Sequence, residues 1–354
     1  MSNDLTQSIK EQVEQALQQK QSVSIHGSGS HLFMLPNYSE ELNIDMSKHH
    51  GIIDYQPTEL VIKARAGTPI SEIQQVLSEQ QQQLATDFPA YAEAATLGGS
   101  LAIGHTGSAR PFHGAIRDHV LGAGLINGSA ELLNFGGQVM KNVAGYDVSR
   151  LLAGSRGTLG PILDISLKIL PAPEQQLTLV LELEENQAIE TMNKLAGQSL
   201  PITAAAFYEQ KMYIRLEGTV AGLKQAQQTL GGEHISESKQ FWNSIQQQTH
   251  DFFSSAQSLW RIIVPATTPE LELEFQHKSL IDWCGGLRWI HADEITQTDF
   301  IHISNMGGYV ESHRTDKLTT PADLMSPLQK QMHIKIKQAF DPEQLFNPAL
   351  SIFT

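Results

Sequence analysis

The residues whose type and spacing most clearly indicate a chemical role are glycines. Between Thr96 and Pro171 they recur at irregular intervals and separate apolar runs such as Val120–Leu125 and Leu159–Leu170. Glycine loses conformational entropy in regular structure, so a folded domain accumulates it where the backbone needs positive φ angles or must approach something flat or anionic. The apolar runs are well formed, which argues against a disordered linker. The stretch therefore predicts a folded segment that faces a ligand.

A second glycine-containing loop lies near the N-terminus. The β-prone run Ser22–Ile25 leads into a loop that reads His26, Gly27, Ser28, Gly29 and Ser30. A strand followed by a Gly-x-Gly turn can present consecutive backbone N–H groups and serine hydroxyls to a pyrophosphate, since no Cβ blocks the approach. A plain tight turn would have the same sequence. The loop by itself does not decide between these two interpretations.

Length and composition limit the possible functions. A chain of 354 residues predicts two domains, each able to bury its own core. The net charge of −14, from 24 basic and 38 acidic residues, disfavours nucleic acid as a partner, because phosphate binding needs a basic surface. The single cysteine, Cys284, excludes an internal disulfide and any iron–sulfur cluster held by several thiolates of this chain.

The N-terminal residues predict a helix and a cytoplasmic location. Leu5, Ile9, Val13 and Leu17 recur at every fourth position, and Asn3 or Asp4 is available as the N-cap. We expect the apolar stripe to face the core, because the polar face is rich in Gln and not in Lys or Arg. No secretory signal pattern and no apolar stretch of membrane-spanning length occurs in the sequence, so we expect no integral membrane segment.

Local patterns predict the elements that position the two glycine-rich regions. Thr68 is the expected cap, and Pro69 the expected first residue, of a helix that ends in a solvated tail at Gln80–Gln83. The small residues before Gly98 and Gly99 predict a helix N-terminus or a turn against a ligand. The expected strands are 42–46, 59–64, 120–126, 132–135 and 163–170.

A domain boundary is expected at Pro171–Glu174, which divides the chain into residues 1–172 and 173–354. Beyond it, the patterns predict strands at 177–183, 203–207 and 212–216 and helices at 186–196 and 220–230. This β-α-β-β-α order predicts a ferredoxin-like α+β domain with an antiparallel sheet. A further helix is expected over 334–340.

Four motifs in a fixed order carry a family resemblance. They are Gly98-Gly99-Ser100, Arg117–Gly122, Lys141–Asp147 and Gly154–Gly160. Together they resemble the signatures of the FAD-binding (PCMH-type) domain of the vanillyl-alcohol-oxidase type flavoproteins. With the N-terminal loop and the C-terminal Asn347-Pro348, the combination most resembles the FAD-binding E subunits of bacterial glycolate oxidase, also called glycolate dehydrogenase. The resemblance is dense in the N-terminal half and thin in the C-terminal half.

The resemblance implies a fold and a set of cofactor-binding residues. The fold is α+β: a two-subdomain PCMH-type FAD-binding domain over 1–172, then an α+β cap domain over 173–354 whose tail, 334–350, returns to the FAD domain. The implied FAD-binding residues are His26, Gly27, Ser28, Gly29, Ser30, Thr96, Gly98, Gly99, Ser100, Asp118, Lys141, Asn142, Gly145, Tyr146, Gly157, Gly160, Ile162 and Asn347.

Several of these positions carry a more specific expectation. Lys141 is the first choice for the cation that stabilises the anionic reduced flavin. Asp118 is expected near the cofactor, although an ion pair with Arg117 on the surface would explain it equally. His26 stands where relatives commonly have arginine. Because Ser30 separates the Gly-x-Gly core from His31, which some relatives link covalently to the flavin, we expect FAD to be bound non-covalently.

The implied activity is the oxidation of glycolate, or a related 2-hydroxy acid, to glyoxylate or the corresponding 2-oxo acid. The implied partners are a paralogous FAD-binding subunit and an iron–sulfur subunit, through which the chain would reach the inner membrane peripherally. Two alternatives are a non-catalytic or electron-relaying FAD subunit and a stand-alone alcohol or sugar oxidase.

The catalytic residues are not identified by the sequence. No general base stands out, and the histidines lack the spacing of a metal site, so no metal is expected. Four arginines are candidates for binding a substrate carboxylate, namely Arg110, Arg156, Arg288 and Arg314.

Overall fold

A computed structural model describes residues 3–30, 42–137, 148–314 and 325–350. The chain divides into two compact units. The first unit comprises residues 1–106, 115–172 and 325–354, and the second comprises residues 107–114 and 173–324. The short segment 107–114 thus belongs to the second unit, although it lies within the glycine-rich stretch of the sequence. Each unit is described by itself below.

The helices of the described residues are mostly short and amphipathic. None of them is long and apolar enough to cross a membrane. In chain order they are α1 Thr6–Gln19, α2 Ile70–Glu79, α3 Leu97–Ile103, α4 Arg110–His113, α5 Glu185–Ala196, α6 Val220–Leu230, α7 Ser238–Gln246, α8 Asp251–Ser254, α9 Gln297–Asn305 and α10 Pro327–Phe340.

The strands include all those expected from the sequence and several that were not. In chain order they are β1 Val23–His26, β2 Leu42–Asp45, β3 Ile52–Gln56, β4 Val61–Arg65, β5 Gln82–Leu84, β6 Val120–Ile126, β7 Leu132–Gly136, β8 Ile162–Pro171, β9 Gln175–Glu182, β10 Ile202–Tyr208, β11 Lys211–Gly218, β12 Glu233–His234, β13 Leu259–Ile263, β14 Lys278–Asp282, β15 Leu287–His291 and β16 Tyr309–Arg314.

The first unit is built around an antiparallel sheet and a separate parallel pair. The sheet has the order β3-β4-β8-β6-β7, and β5 also pairs with β8. Strand β8 is the longest and lies centrally because its mostly apolar sequence is buried along almost its whole length. The pair β1-β2 is parallel. Helices α1 and α2 bury their apolar stripes against this core, for example Val13 and Ile73, which have no exposed surface.

Three local expectations for the first unit are wrong. The N-cap of α1 is Leu5, although the Asp4 carboxylate still accepts the Thr6 N–H at 3.0 Å. Pro69, and not Thr68, is the N-cap of α2. The Thr68 hydroxyl does not cap the helix and instead accepts the Gly51 N–H at 2.9 Å. Residues Gln80–Gln83 are not simply a solvated helix tail. Their C-terminal part belongs to β5, since pairing with the long strand β8 satisfies its backbone.

The second unit contains an eight-stranded antiparallel sheet with the order β12-β9-β11-β10-β14-β15-β13-β16. The first four strands of that order, with α5 and α6, form a β-α-β-β-α-β arrangement in which the fourth strand lies beside the first. The expected ferredoxin-like α+β fold with an antiparallel sheet is therefore confirmed. The helices pack through Met192 and Leu223 against sheet residues such as Ile214. The extension from β14 to β16 was not expected from the sequence.

Candidate functional site

A cleft lies within the first unit. Most of its lining comes from three groups of residues that are distant in sequence: the loop after β1, one face of α3 with its cap Thr96, and the turn before β8 with Asn347. The lining residues are Ile25, His26, Gly27, Ser28, Gly29, Ser30, Met46, Ala66, Thr96, Gly98, Gly99, Ala102, Ile103, Arg156, Gly157, Gly160, Ile162 and Asn347. The structure thus brings together most of the residues singled out from the sequence.

The loop after β1 offers backbone donors to the cleft. Among the residues that the structure describes, none accepts the N–H groups of Gly27, Ser28 or Gly29. Gly29 has a φ of +81°, which glycine adopts without steric cost. The His26 ring donates from Nδ1 to the Gly27 carbonyl at 2.9 Å, and this bond fixes the ring beside the loop. Free backbone N–H groups at a strand end form a cradle for an anion.

Helix α3 begins at the cleft because Thr96 caps it. The Thr96 hydroxyl accepts the Gly99 N–H at 3.2 Å, and Gly98 donates its N–H to the Ala66 carbonyl at 2.7 Å. A Cβ on Gly98 would lie 2.6 Å from the Ala66 Cβ, so only glycine fits there. A Cβ on Gly27 would overlap the Thr96 hydroxyl. These contacts pack the loop and the helix tightly and leave a smooth wall of small residues.

The turn before β8 forms the opposite group of lining residues. Gly157 has a φ of +73° and Gly160 a φ of +135°, so both conformations favour glycine. A Cβ on Gly157 would lie 2.6 Å from Asn347 Nδ2, and one on Gly160 would collide with the Ile126 carbonyl. The turn then enters β8 at Ile162, which pairs with Leu125 of β6.

Asn347 connects these loops from the C-terminal end of the chain. Its side chain is 1% exposed, and Oδ1 accepts the Ile25 N–H at 2.8 Å while Nδ2 donates to the Arg156 carbonyl at 2.8 Å. Its backbone N–H donates to the Val23 carbonyl at 2.9 Å. The amide therefore holds β1 and the turn before β8 at a fixed separation, although 322 residues separate Asn347 from Ile25.

The electrostatic character of the cleft suits an anionic ligand with an apolar, flat portion. The described lining residues include no carboxylate side chain, and their ionisable members are His26 and Arg156. Backbone N–H groups and small apolar residues make up the remaining wall. This combination fits a dinucleotide such as FAD, whose pyrophosphate needs donors and whose ring needs a flat apolar surface.

Two of the residues expected at the cofactor do not line the cleft. Ser100 is 2% exposed and lies on the other side of α3, since Gly98, Gly99, Ala102 and Ile103 share the face toward the cleft. Asp118 lies in a short 3₁₀ helix, where its carboxylate accepts the Ala115 N–H at 2.8 Å and approaches Arg117 at 3.9 Å. The structure thus gives Asp118 the alternative environment considered from the sequence.

Other expected cofactor residues lie outside the described residues. These are Lys141, Asn142, Gly145 and Tyr146, together with His31, on which the expectation of non-covalent binding rests.

Some lining residues were missed by the sequence reasoning. Ala102 and Ile103 follow Gly98 and Gly99 at helical spacing, so periodicity could have identified them. No local sequence pattern identifies Met46 and Ala66, because they reach the cleft only through packing between segments that are distant in sequence. Arg156 was considered only as a carboxylate-binding candidate.

The candidate arginines of the second unit have structural contacts. Arg288 is 1% exposed and donates to the carbonyls of Gly285 and Thr268. Burial lowers its pKa to about 10, against the opposing effect of Glu185. Arg110 lies over the Trp283 ring at 4.1 Å, and Arg314 donates to the Phe253 carbonyl at 3.2 Å. In the described part of the chain, no group of His, Cys, Asp or Glu side chains is arranged to hold a metal.

Comparison with known proteins agrees with this geometry. Residues 5–136 match a family model described as "FAD binding domain". The matched region contains the Gly27–Ser30 loop, α3 and most of the first sheet, so the chain carries an FAD-binding domain and FAD is its cofactor. A search of solved structures found alkyldihydroxyacetonephosphate synthase, with a TM-score of 0.67 and 15% identity over 97% of this chain and 74% of that chain. The two structures therefore share an α+β fold.

Curated relatives are more specific. The glycolate oxidase subunit GlcE of Escherichia coli (strain K12) is 40% identical over 98% of this chain and 97% of its own length. The glycolate oxidase subunit GlcD of Bacillus subtilis (strain 168) is 31% identical over 36% of this chain and 28% of its own length. A D-lactate dehydrogenase of Anaerostipes hadrus is 29% identical over 49% of this chain and 36% of its own length.

Proposed function

This chain belongs to the family of the glycolate oxidase subunit GlcE and carries an FAD-binding domain, and from these two facts we infer its function. We propose that it is the FAD-binding subunit of an oxidase complex that converts glycolate, or a related 2-hydroxy acid, to the 2-oxo acid. The observation that carries the proposal is the cleft of backbone donors in a chain that matches GlcE along its whole length.

The proposed binding mode assigns a role to each wall of the cleft. The N–H groups of Gly27, Ser28 and Gly29 would hold the pyrophosphate, because these residues line the cleft and no described residue accepts their N–H groups. The wall of Gly98 and Gly99 lets the cofactor approach the backbone. The turn containing Gly160 would support the flavin ring. The cofactor-binding roles that the sequence indicates for Lys141 and Asp118 remain predictions.

When bound, FAD supplies a two-electron acceptor for the hydrogen that leaves the carbinol carbon of the substrate as hydride. The protein binds and orients the cofactor through the backbone donors. The apolar side chains of Ile25, Ile103 and Ile162 would exclude water from the bound cofactor. The alcohol proton must leave to a base when the carbonyl forms. The described lining includes no carboxylate that could act as this base, and its one imidazole, His26, belongs to the loop that we assign to the pyrophosphate.

Partners and location follow from the family. The two relatives from E. coli and B. subtilis are both named as subunits, and one of them is similar to this chain only in part. We propose that a paralogous FAD-binding subunit and an iron–sulfur subunit accept the electrons, because one cysteine cannot hold a cluster in this chain. The complex would then work in the cytoplasm, peripherally at the inner membrane.

A second candidate function is that of an FAD subunit that relays electrons without oxidising substrate itself. The described cleft residues include one arginine, Arg156, and no carboxylate base, and this observation favours the alternative.

Rapid mixing with glycolate tests both candidates. The FAD-loaded chain should bleach slowly or not at all by itself, and fast in the presence of its partner subunits. Fast, saturable bleaching by the isolated chain would make it a catalytic subunit in its own right. If a complex of partner subunits with an FAD-free form of this chain bleaches at the full rate, the relay function is favoured.

Acid precipitation tests the mode of FAD attachment. All of the yellow colour should appear in the supernatant, because we propose non-covalent binding. Colour that remains in the protein pellet would contradict this.

A further inference from the structure

The C-terminal segment of the first unit contains a buried lysine. Lys337 in α10 is 7% exposed, and its ammonium group donates to Asp341 Oδ2 at 2.6 Å, to the Thr158 carbonyl at 2.7 Å and to the Phe346 carbonyl at 3.1 Å. Three donors therefore meet three acceptors, which is the full capacity of an ammonium group. Lys337 thus joins α10 both to the C-terminal segment and to the turn before β8.

Its partner carboxylate organises the C-terminal segment. Asp341 has no exposed surface, and it accepts the Leu345 N–H at 2.9 Å through Oδ1 and the Phe346 N–H at 2.8 Å through Oδ2. Gly128 packs against this carboxylate, where a Cβ would lie 2.5 Å from Oδ1. The Lys337–Asp341 pair therefore fixes the chain between the end of α10 and Phe346.

Asn347 connects this ordered C-terminal segment to the cleft. Asn347 follows Phe346 directly, and it holds Ile25 at the end of β1 and Arg156 in the turn before β8. Thr158, whose carbonyl Lys337 binds, lies between Gly157 and Gly160, which both line the cleft. Lys337 thus reaches the cleft wall by two routes: directly through Thr158, and indirectly through the segment that ends in Asn347.

A purely structural role does not account well for such a group. Burying an ammonium and a carboxylate carries a large desolvation penalty, and an apolar pair of similar volume is often at least as stabilising. Burial also lowers the pKa of Lys337, although Asp341 opposes this effect. An apolar pair could not donate hydrogen bonds to the Thr158 and Phe346 carbonyls, as the Lys337 ammonium group does.

We propose that Lys337 and Asp341 are positioning residues for FAD: they hold the turn at 156–160 and Asn347 in the binding arrangement before the cofactor enters. This inference depends on the FAD-binding domain and not on the identity of the substrate, so failure of glycolate oxidation would leave it intact.

The test compares FAD affinity with folding stability in the apoprotein. Lys337→Met substitutes an unbranched apolar side chain that is one atom shorter and removes the three hydrogen bonds of the ammonium group. The apoprotein variant should bind FAD at least tenfold more weakly by flavin-fluorescence titration, and its amides at 156–162 should exchange hydrogen faster. Lys335→Met, on an exposed position of the same helix, is the matched control and should bind FAD as the unsubstituted chain does.

A double variant separates positioning from folding. Lys337→Met with Asp341→Asn removes the unpaired carboxylate, while the amide oxygen can still accept one of the two N–H groups, of Leu345 and Phe346, that the carboxylate accepts. Its urea midpoint should recover relative to Lys337→Met, but its FAD affinity should stay at least tenfold reduced. Recovery of both quantities together would assign the pair a structural role only. Unchanged FAD affinity in Lys337→Met, or in the double variant if the single one does not fold, would overturn the proposal.

Discussion

The two units use polar groups in different ways. In the first unit, the cleft is formed by backbone donors and small residues, and the described lining has no carboxylate. In the second unit, arginines are buried against the unit's own residues: Arg288 binds two carbonyls, Arg261 pairs with Glu311 at 2.8 Å, and Arg215 donates to the Thr203 hydroxyl at 2.9 Å. Arg261 also lies over the ring of Trp283.

This difference affects how functional residues can be found. A search for charged side chains identifies the second unit, where the described arginines stabilise the fold. Such a search misses the cleft, because its donors are backbone N–H groups, which nearly every residue type has. Substitutions in the second unit should therefore lower stability and leave FAD affinity alone. Substitutions at the cleft should weaken FAD binding, whether or not they also lower stability.

The largest effect is expected for Arg288→Met in the second unit. The change leaves the carbonyls of Gly285 and Thr268 without their charged donor and Glu185 without a compensating charge, so we expect a loss of about 3 kcal/mol in the free energy of unfolding. FAD affinity should stay within twofold. Urea denaturation and flavin-fluorescence titration measure the two quantities.

The matched control is Arg117→Met, because the Arg117 side chain is 61% exposed and its substitution should change stability by less than about 0.5 kcal/mol. If Arg288→Met instead weakened FAD binding tenfold at constant stability, the comparison between the units would fail.

The next largest effect is expected for Gly27→Ala at the cleft. The added Cβ overlaps the Thr96 hydroxyl, which must then leave its position as the cap of α3. We expect FAD to bind about thirtyfold more weakly, which corresponds to about 2 kcal/mol. Equilibrium titration of the apoprotein with FAD checks this.

Gly231→Ala is the corresponding change in the second unit. Gly231 has a φ of +68° and a ψ of −154°, a region that residues with a Cβ rarely adopt, and there is open space around its Cβ position, so the substitution should lower stability by about 2 kcal/mol through backbone strain alone. An equal loss of FAD affinity in both variants would indicate a general folding effect.

A smaller effect is expected for Thr96→Val. Thr96 and Thr219 are N-caps that each accept the N–H of a glycine three residues later at 3.2 Å, one in each unit. Both Thr→Val substitutions should lower stability by about 1 kcal/mol. Only Thr96→Val should also weaken FAD binding, by about fivefold, because Thr96 lines the cleft. Calorimetry of the apoprotein and FAD titration distinguish the two, and equal FAD affinities would contradict the assignment of Thr96 to the site.

The smallest effect is expected for Asp4→Asn on the surface of the first unit. A hydrogen bond from Arg65, at 2.8 Å, is the main reason why the pKa of Asp4 lies well below its ordinary value of 3.8. The folded state thus prefers the charged form, and the stabilisation is present above pH 3.8 and is lost as the pH falls through the lowered pKa. Because the side chain is 57% exposed, we expect no more than about 0.5 kcal/mol at pH 7.

Urea denaturation of both proteins at pH 7 and at pH 2.5 measures this difference. The difference between the two stabilities should be smaller at the lower pH, which lies between the ordinary pKa of Asp4 and its lowered value, and FAD affinity should be equal at pH 7. A constant difference across that range would mean that the carboxylate charge is not what stabilises the fold.

The sequence by itself determined the features that depend on local patterns. The spacing of apolar residues predicted α2, β6 and the β9-α5-β10-β11-α6 order, because side-chain periodicity follows backbone geometry. The glycine motifs in their order indicated the FAD-binding family, since close backbone approach and positive φ angles select glycine. The lining positions from Gly27 to Ser30 followed from the same reasoning.

Tertiary structure alone decided which distant segments meet. Nothing in the pattern around Asn347 reveals that its amide holds Ile25 and Arg156, or that Lys337 is buried and not a solvated helix residue. The assignment of 107–114 to the second unit and the exclusion of Ser100 from the cleft wall were equally unpredictable. Burial and pairing across hundreds of residues depend on how whole elements pack, and local periodicity carries no information about which face meets which partner.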